Sequence, residues 1–121
     1  MKIEEWNAIP KDKETDAAAL ENDLCTLIDG VAFLIQRKGN INNIICKRIE
    51  KSSEPLIKTF FKFRIFCKQN AIQYIRVEGG NTHTYNILKL MRKTAPSSCG
   101  LVKAEKESEE LNKVVYYVKT Y

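Results

Sequence analysis

Residues 71–93 read AIQYIRVEGGNTHTYNILKLMRK and contain the change of pattern on which the fold prediction depends. The run IQYIRV is short, mostly apolar and β-prone, which predicts a strand that is covered on both faces. The run NTHTYNILKLMRK instead places Tyr85, Leu88 and Met91 at helical spacing. The turn EGGN between them lies where α/β proteins bind phosphates, because the N-terminus of a helix directs its free N–H groups there.

The segments before this stretch predict a helix, a hairpin and a second helix. Residues 14–30, ETDAAALENDLCTLIDG, contain good helix formers at helical spacing, with Thr15 as N-cap and Gly30 as the left-handed residue after the end. The runs VAFLIQRKG and NNIICKRIE are rich in β-branched and aromatic residues and predict two strands joined at KGN. The run SSEPLIKTFFKFRIFCKQNA predicts a helix with Ser53 as N-cap and Asn70 as its stop. The apolar residues of this helix, which predict one broad face against a sheet, are Leu56, Ile57, Phe60, Phe61, Phe63 and Cys67.

The end of the chain predicts a closing hairpin. Pro96 ends the preceding helix, and GLVKA and VVYYVKTY are two strands separated by the charged loop EKESEELNK. The predicted order is α-β-β-α-β-α-β-β, an α/β (α+β) fold with a mixed, mostly antiparallel sheet and a central βαβ unit. With 121 residues, of which 44% are hydrophobic, we expect one domain over residues 1–121, made of an acidic segment and helix (1–30) and the remaining sheet and helices (31–121).

The charge of the chain is unevenly distributed. Residues 1–30 hold three Lys against eight Asp or Glu, whereas residues 31–93 hold thirteen Lys or Arg against three Glu. A basic middle favours an anionic partner such as nucleic acid or a phosphorylated cofactor, and the alternative is a set of solvated lysines. The sequence lacks helix-turn-helix, zinc-finger and aromatic RNA-binding motifs, so a nucleic-acid-binding module is the third of our hypotheses.

The cysteines and the apolar runs bear on metals and on location. Cys25, Cys46, Cys67 and Cys99 lie far apart without paired spacing, so we expect reduced, mostly buried thiols and no metal site, with zinc or disulfides as the alternative. No apolar run approaches the roughly 20 residues of a membrane-spanning helix. The acidic start is unlike a secretory signal, so we expect a cytoplasmic protein without a membrane partner.

Two turns could bind a phosphate. In EKSSEP, Lys51, Ser52 and Ser53 could supply an ammonium group, hydroxyls and backbone donors, although Ser53 could equally be a simple cap. In EGGN, Gly79 and Gly80 would let a ligand approach the backbone closely, or they form a plain turn.

Four further residues could contribute chemistry beside these turns. Asn81 could cap its helix or reach a ligand amide. Glu50 and Glu78 each follow a predicted strand and are candidate general bases, or else ordinary exposed carboxylates. The helix dipole would lower the pKa of His83 and leave it neutral, as a base or as a surface residue.

The strand ending near Val77, the helix start Asn81 with Thr84 three residues later, and the terminal hairpin resemble the C-terminal half of the GNAT superfamily of N-acetyltransferases. The resemblance covers residues 31–121 by element order and GGNTHTYNILKL by motif. It implies that Asn81 and Thr84 line the pantetheine channel of acetyl-CoA. It also implies that Gly79, Gly80 and the segment Lys51, Ser52 and Ser53 border the cofactor.

The sequence departs from the family pattern at two places. EKSSEPLIK, without glycine, replaces the pyrophosphate loop Gln/Arg-x-x-Gly-x-Gly/Ala, and Leu88 replaces the tyrosine that usually protonates the thiolate. Our first hypothesis is therefore a degenerate GNAT-like domain that acts in binding or assembly without efficient acetyl transfer. It is similar in this to small GNAT-like proteins of tailed bacteriophages, some of them virion-associated. The alternative is an active acetyl-CoA-dependent N-acetyltransferase.

The sequence also bears on partners. We expect a protein partner or a homo-oligomer. If VVYYVKTY lies at a sheet edge, it would pair with another chain through Tyr116, Val118 and Tyr121.

Overall fold

The computed structural model describes residues 1–10, 18–78, 86, 100–108 and 113–121. These residues form a mixed α/β protein with two helices and six strands, and they divide into two compact units, Met1–Glu54 (unit 1) and Pro55–Tyr121 (unit 2). The elements in chain order are α1 (Ile3–Asn7), β1 (Leu24–Ile28), β2 (Val31–Lys38), β3 (Ile41–Arg48), α2 (Leu56–Gln69), β4 (Tyr74–Glu78), β5 (Gly100–Ser108) and β6 (Lys113–Lys119).

Unit 1 contains an antiparallel three-stranded meander. The pairing of β2 with β3 runs from Val31 opposite Arg48 to Lys38 opposite Ile41, which leaves Gly39 and Asn40 as a two-residue turn. Gly39 has a φ of 61°, as the first position of a type II′ turn requires. The hairpin predicted at KGN is therefore confirmed.

The helix predicted over residues 14–30 is wrong wherever the structure describes it, because residues 18–23 are not helical and β1 occupies Leu24–Ile28, where it pairs with β2. Asp29 and Gly30 have φ values of 48° and 78°, which are the two left-handed positions of a type I′ hairpin turn. Gly30 thus has the conformation that we expected, but it connects two strands and does not end a helix. The predicted cap Thr15 lies outside the described residues.

Trp6 anchors the short helix α1 to one face of this meander. Its side chain is 1% exposed and clusters with Ala19, Ala32 and Leu34. Partly buried residues packed against this cluster are Met1, Ile3, Ile9, Cys25, Ile45 and Ile49. The Asn7 side chain fixes the segment before β1, since its Nδ2 donates to Ala19 O at 3.2 Å and its Oδ1 accepts from Ala19 N at 2.8 Å.

Asp23 is a buried carboxylate, 7% exposed, at the start of β1. Its Oδ2 accepts a hydrogen bond from Leu20 N at 2.8 Å, and its Oδ1 accepts one from Arg37 N at 2.9 Å. The side chain therefore closes the turn before β1. It also provides an acceptor for Arg37 N of β2, which lies beyond the last β1–β2 pair, Leu24 with Ile35.

Asp23→Asn is expected to lower the free energy of unfolding by about 1 to 3 kcal/mol. The amide has one acceptor oxygen, so either Leu20 N or Arg37 N would lose its partner. Urea unfolding followed by tryptophan fluorescence measures the loss. Glu21→Gln, which removes an exposed charge two residues away, is the control and should leave stability nearly unchanged. Equal effects of the two variants would show that the buried hydrogen bonds contribute nothing.

Helix α2 is the first element of unit 2. The prediction of its N-terminal end is wrong, whereas the prediction of its C-terminal end is correct. Pro55 is the residue before its first turn, so Ser53 as N-cap is wrong. The Ser52 hydroxyl instead accepts from Glu54 N at 3.1 Å, which forms a local turn before the helix. The stop at Asn70 is confirmed, since Asn70 Nδ2 donates to Phe66 O at 2.9 Å.

The strands of unit 2 form an antiparallel group in which β6 lies between β4 and β5. The predicted closing hairpin of β5 and β6 is confirmed, but its predicted loop is too long, because β5 continues to Ser108 and pairs with β6 there. The condition for pairing with another chain through β6 is not met, because this strand has hydrogen-bonded neighbours on both sides and Val118 is 1% exposed. After β6, Thr120 N donates a hydrogen bond to Gln73 O at 2.8 Å, which holds the end of the chain beside the start of β4.

The observed order therefore differs from the predicted one, since the described residues read α-β-β-β-α-β-β-β. The helix predicted over 81–93 and its stop at Pro96 lie outside the described residues, except that Asn86 has helical backbone. The strand predicted at IQYIRV is confirmed as β4, but the prediction that both of its faces are covered is wrong, because Ile75 and Val77 are buried while Tyr74 is 46% exposed.

Candidate functional site

The exit from β3, where Glu50 was a predicted base, is held by a local network within unit 1. Gly30 O accepts from Ile49 N at 2.8 Å and from Glu50 N at 3.1 Å. Arg48 Nη1 donates to Asp29 O at 3.3 Å and to Glu50 O at 3.2 Å. The backbone of Glu50 is thus fixed, while its side chain is exposed to solvent.

The predicted phosphate segment Lys51, Ser52 and Ser53 is exposed. The two residues that follow it offer no backbone donor to an anion, because Glu54 N already donates to the Ser52 hydroxyl and Pro55 has no N–H.

Carboxylates also bracket this segment, with Glu50 before it and Glu54 after it. A diphosphate carries negative charge and binds where donors and positive charge converge. One lysine between two carboxylates does not provide that setting. The charge of this segment therefore does not fit the diphosphate of acetyl-CoA.

The second predicted base, Glu78, ends β4 in unit 2. Its Oε2 accepts from Arg76 Nη1 at 2.9 Å, and its side chain is 31% exposed. A carboxylate held by a guanidinium group is engaged in a strong, charge-assisted hydrogen bond, which opposes its use as a proton acceptor. Glu50 and Glu78 belong to different units, so their meeting in one cleft stays a prediction.

The remaining predicted site residues, Gly79, Gly80, Asn81, His83 and Thr84, lie outside the described residues. Their roles beside a pantetheine chain or as a base stay predictions.

The cysteines of the described residues are packed as small apolar side chains. Cys46 and Cys67 are buried, as expected from the sequence. Burial raises the pKa of Cys67 to about 12, and burial together with the Asp23 charge raises the pKa of Cys25. These thiols stay protonated at neutral pH and are poor nucleophiles. Across the described ranges, no three His, Cys, Asp or Glu side chains are grouped in a way that could hold a metal ion.

The feature that the sequence interpretation missed is an exposed apolar row on α2. Phe60, Phe63 and Cys67 are buried as predicted, but Ile57, Phe61 and Ile65 are 39%, 54% and 44% exposed. These three residues are four apart, so they follow one another along one side of the helix. We call them the α2 row. The prediction that Ile57 and Phe61 widen the buried face, with Leu56 beside them, is wrong.

The physical reason for this error lies in the other residues that α2 buries. Thr59 and Arg64 are 0% and 5% exposed, and Arg64 Nη2 donates to Lys119 O at 2.9 Å. A polar residue can be buried when it hydrogen-bonds to a backbone acceptor. The buried face of α2 therefore includes polar residues in place of Ile57 and Phe61, which the apolar pattern had assigned to it. The spacing at residues 57, 61 and 65 was the signal in the sequence, because it continues a second apolar stripe along the helix.

Comparison with protein-family models, with curated proteins and with solved structures gives no match. The resemblance to the GNAT superfamily, the virion-associated setting and the cytoplasmic location stay predictions. Neither helix of the described residues has the length and apolar character needed to cross a membrane.

Proposed function

We propose that this protein is a degenerate GNAT-like domain that binds another protein and does not transfer acetyl groups efficiently. The single observation that carries the proposal is the α2 row, in which an isoleucine, a phenylalanine and a second isoleucine face solvent on one helix. The proposal includes the single GNAT-like domain and the central βαβ unit that the sequence predicts.

The exposure of the α2 row supports a binding role because it is costly in water. Full burial of an isoleucine or phenylalanine side chain contributes about 1.5 to 3 kcal/mol. Each residue of the row retains between 39% and 54% of its exposure, which a partner could remove. Isolated apolar residues are normal on a protein surface, but a contiguous row of large ones is typical of an interaction site.

The segment before α2 supports the absence of efficient acetyl transfer. Pro55 stands at the helix start without an N–H group, Glu54 N is engaged by Ser52, and Glu50 is an exposed negative charge nearby. The alternative, an active acetyltransferase, requires that a diphosphate bind at this place.

Thermal melting with acetyl-CoA tests the proposal. We expect no change of the melting temperature at millimolar cofactor, because the segment before α2 places two carboxylates against one lysine and Pro55 has no N–H. A ligand present at one hundred times its dissociation constant would add about 2.7 kcal/mol to stability and raise the melting temperature visibly. A competent GNAT enzyme melted in parallel is the positive control. A clear rise for this protein would favour the enzyme and overturn the proposal.

A further inference from the structure

We infer that the α2 row is the docking site for an acidic amphipathic helix of a partner protein. This inference rests on the proposed binding function and adds the chemistry of the partner.

The geometry of the α2 row favours a helix as the binding element. Ile57, Phe61 and Ile65 form a ridge of side chains spaced four residues apart, which is the ridge that packs into the groove of a neighbouring helix. The ridge covers two turns, or about 12 Å of helix. It is one residue wide, whereas a helix that lies in a bilayer surface sinks a wide apolar face into it.

The charges beside the α2 row define the sign of the partner. Lys58 and Lys62 each follow a row residue by one position and are exposed, and Lys68 is exposed near the end of the helix. Helix α2 itself contains no Asp or Glu, so all of its own charged side chains are basic. Glutamates beside the apolar face of a partner helix would therefore meet lysines at the edge of the contact.

The same charges disfavour a second copy of this chain. Two copies packed row against row would bring Lys58 and Lys62 of each close to their equals, and juxtaposed like charges oppose association. An acidic helix gains the apolar contact without that repulsion. It would also associate faster at low salt because of electrostatic steering.

The test uses two synthetic amphipathic peptides of about 20 residues, a length at which an isolated helix can form. Both have the same leucine face, and one is flanked by glutamates and the other by lysines. Fluorescence anisotropy of the labelled peptides with the full chain measures affinity. We expect the acidic peptide to bind at least about tenfold more tightly, with the difference shrinking as salt is raised.

Variants locate the binding on the α2 row. Ile65→Glu should abolish binding of the acidic peptide, while Ile41→Glu should not. The two isoleucines are a matched pair, because both are 44% exposed and Ile41 lies at the β2–β3 hairpin. The double change of Lys58→Glu and Lys62→Glu should reverse the preference toward the basic peptide. Far-UV circular dichroism checks that each variant is folded.

The remaining outcomes decide against the inference. Equal affinity for both peptides, equal loss with Ile41→Glu, or no reversal by the lysine changes would overturn it. Tighter binding to phosphatidylglycerol vesicles than to the peptide would identify a membrane surface instead, and a dimer broken by Ile65→Glu would identify a second copy. Failure here leaves the melting experiment with acetyl-CoA unaffected, so loss of the partner chemistry and loss of the proposed function are distinguishable.

Discussion

Replacing Trp6 with alanine is expected to lower the free energy of unfolding by about 3 to 5 kcal/mol. The indole is 1% exposed and lies at the centre of the cluster with Ala32 and Leu34. Helix α1 has only five residues, and a helix that short has little stability without tertiary packing. Loss of the indole therefore removes both a large buried side chain and the anchor of α1.

Urea unfolding followed by far-UV circular dichroism measures this loss, since the variant lacks the tryptophan. Glu4→Ala is the control, because Glu4 is exposed on the same helix and alanine is a good helix former. We expect its effect to stay within about 0.5 kcal/mol. A loss below about 1 kcal/mol for Trp6→Ala would mean that the α1 segment contributes little to the stability of unit 1.

Replacing Gly30 with alanine is expected to cost about 3 kcal/mol or more. A left-handed residue with a side chain costs about 1 to 2 kcal/mol, and the φ of Gly30 is 78°. In addition, a Cβ at this position would lie 2.3 Å from the carbonyl oxygen of Glu50. Relief of that clash must separate Gly30 O from Ile49 N and Glu50 N, at about 1 kcal/mol for each hydrogen bond.

Gly39→Ala is the matched control for this substitution. Gly39 also has a positive φ, 61°, but a Cβ built there has no atom within 4 Å. It should cost less than Gly30→Ala, because a side chain at Gly39 meets only the penalty of a positive φ and no clash. Urea unfolding of both variants gives the difference, which reports the contact between the β1–β2 turn and the exit from β3. Equal losses would mean that the chain after β3 moves away freely.

Much of the fold could be predicted because local pattern and tertiary structure agree there. The run VAFLI forms β2, which is buried along its first five residues, and its partner strand begins after a Gly-Asn turn that sequence alone identifies. The core positions Phe60, Phe63 and Cys67 of α2 follow the 3.6-residue period and were found for that reason.

The region before β2 was misjudged because two signals conflict there. Leu20, Leu24 and Leu27 have helical spacing, but Asp29-Gly30 is among the strongest short signals for a type I′ hairpin turn. Helix propensity is a weak preference, and the pairing of β1 with β2 overrides it. The Asp-Gly pair between two apolar runs could have identified the strand.

For the candidate site, the sequence predicted where its residues lie relative to the strands and helices, but not their hydrogen bonds or exposure. The sequence placed Glu50 and Lys51 after a strand and before a helix, which is where they lie. It did not reveal that Glu54 N bonds to the Ser52 hydroxyl, because that hydrogen bond depends on a local turn. The exposure of Phe61 depends on which residues of α2 find partners in the sheet, and helical periodicity alone does not determine that.

The sole tryptophan of the chain lies in unit 1, which has a practical consequence. Indole emission follows the melting of Met1–Glu54, whereas the far-ultraviolet signal contains the longer helix of Pro55–Tyr121 as well. A single denaturant titration followed by both methods therefore compares the denaturant concentrations at which the two units unfold. Superimposed curves mean one cooperative transition, and displaced curves mean that each half unfolds at its own denaturant concentration.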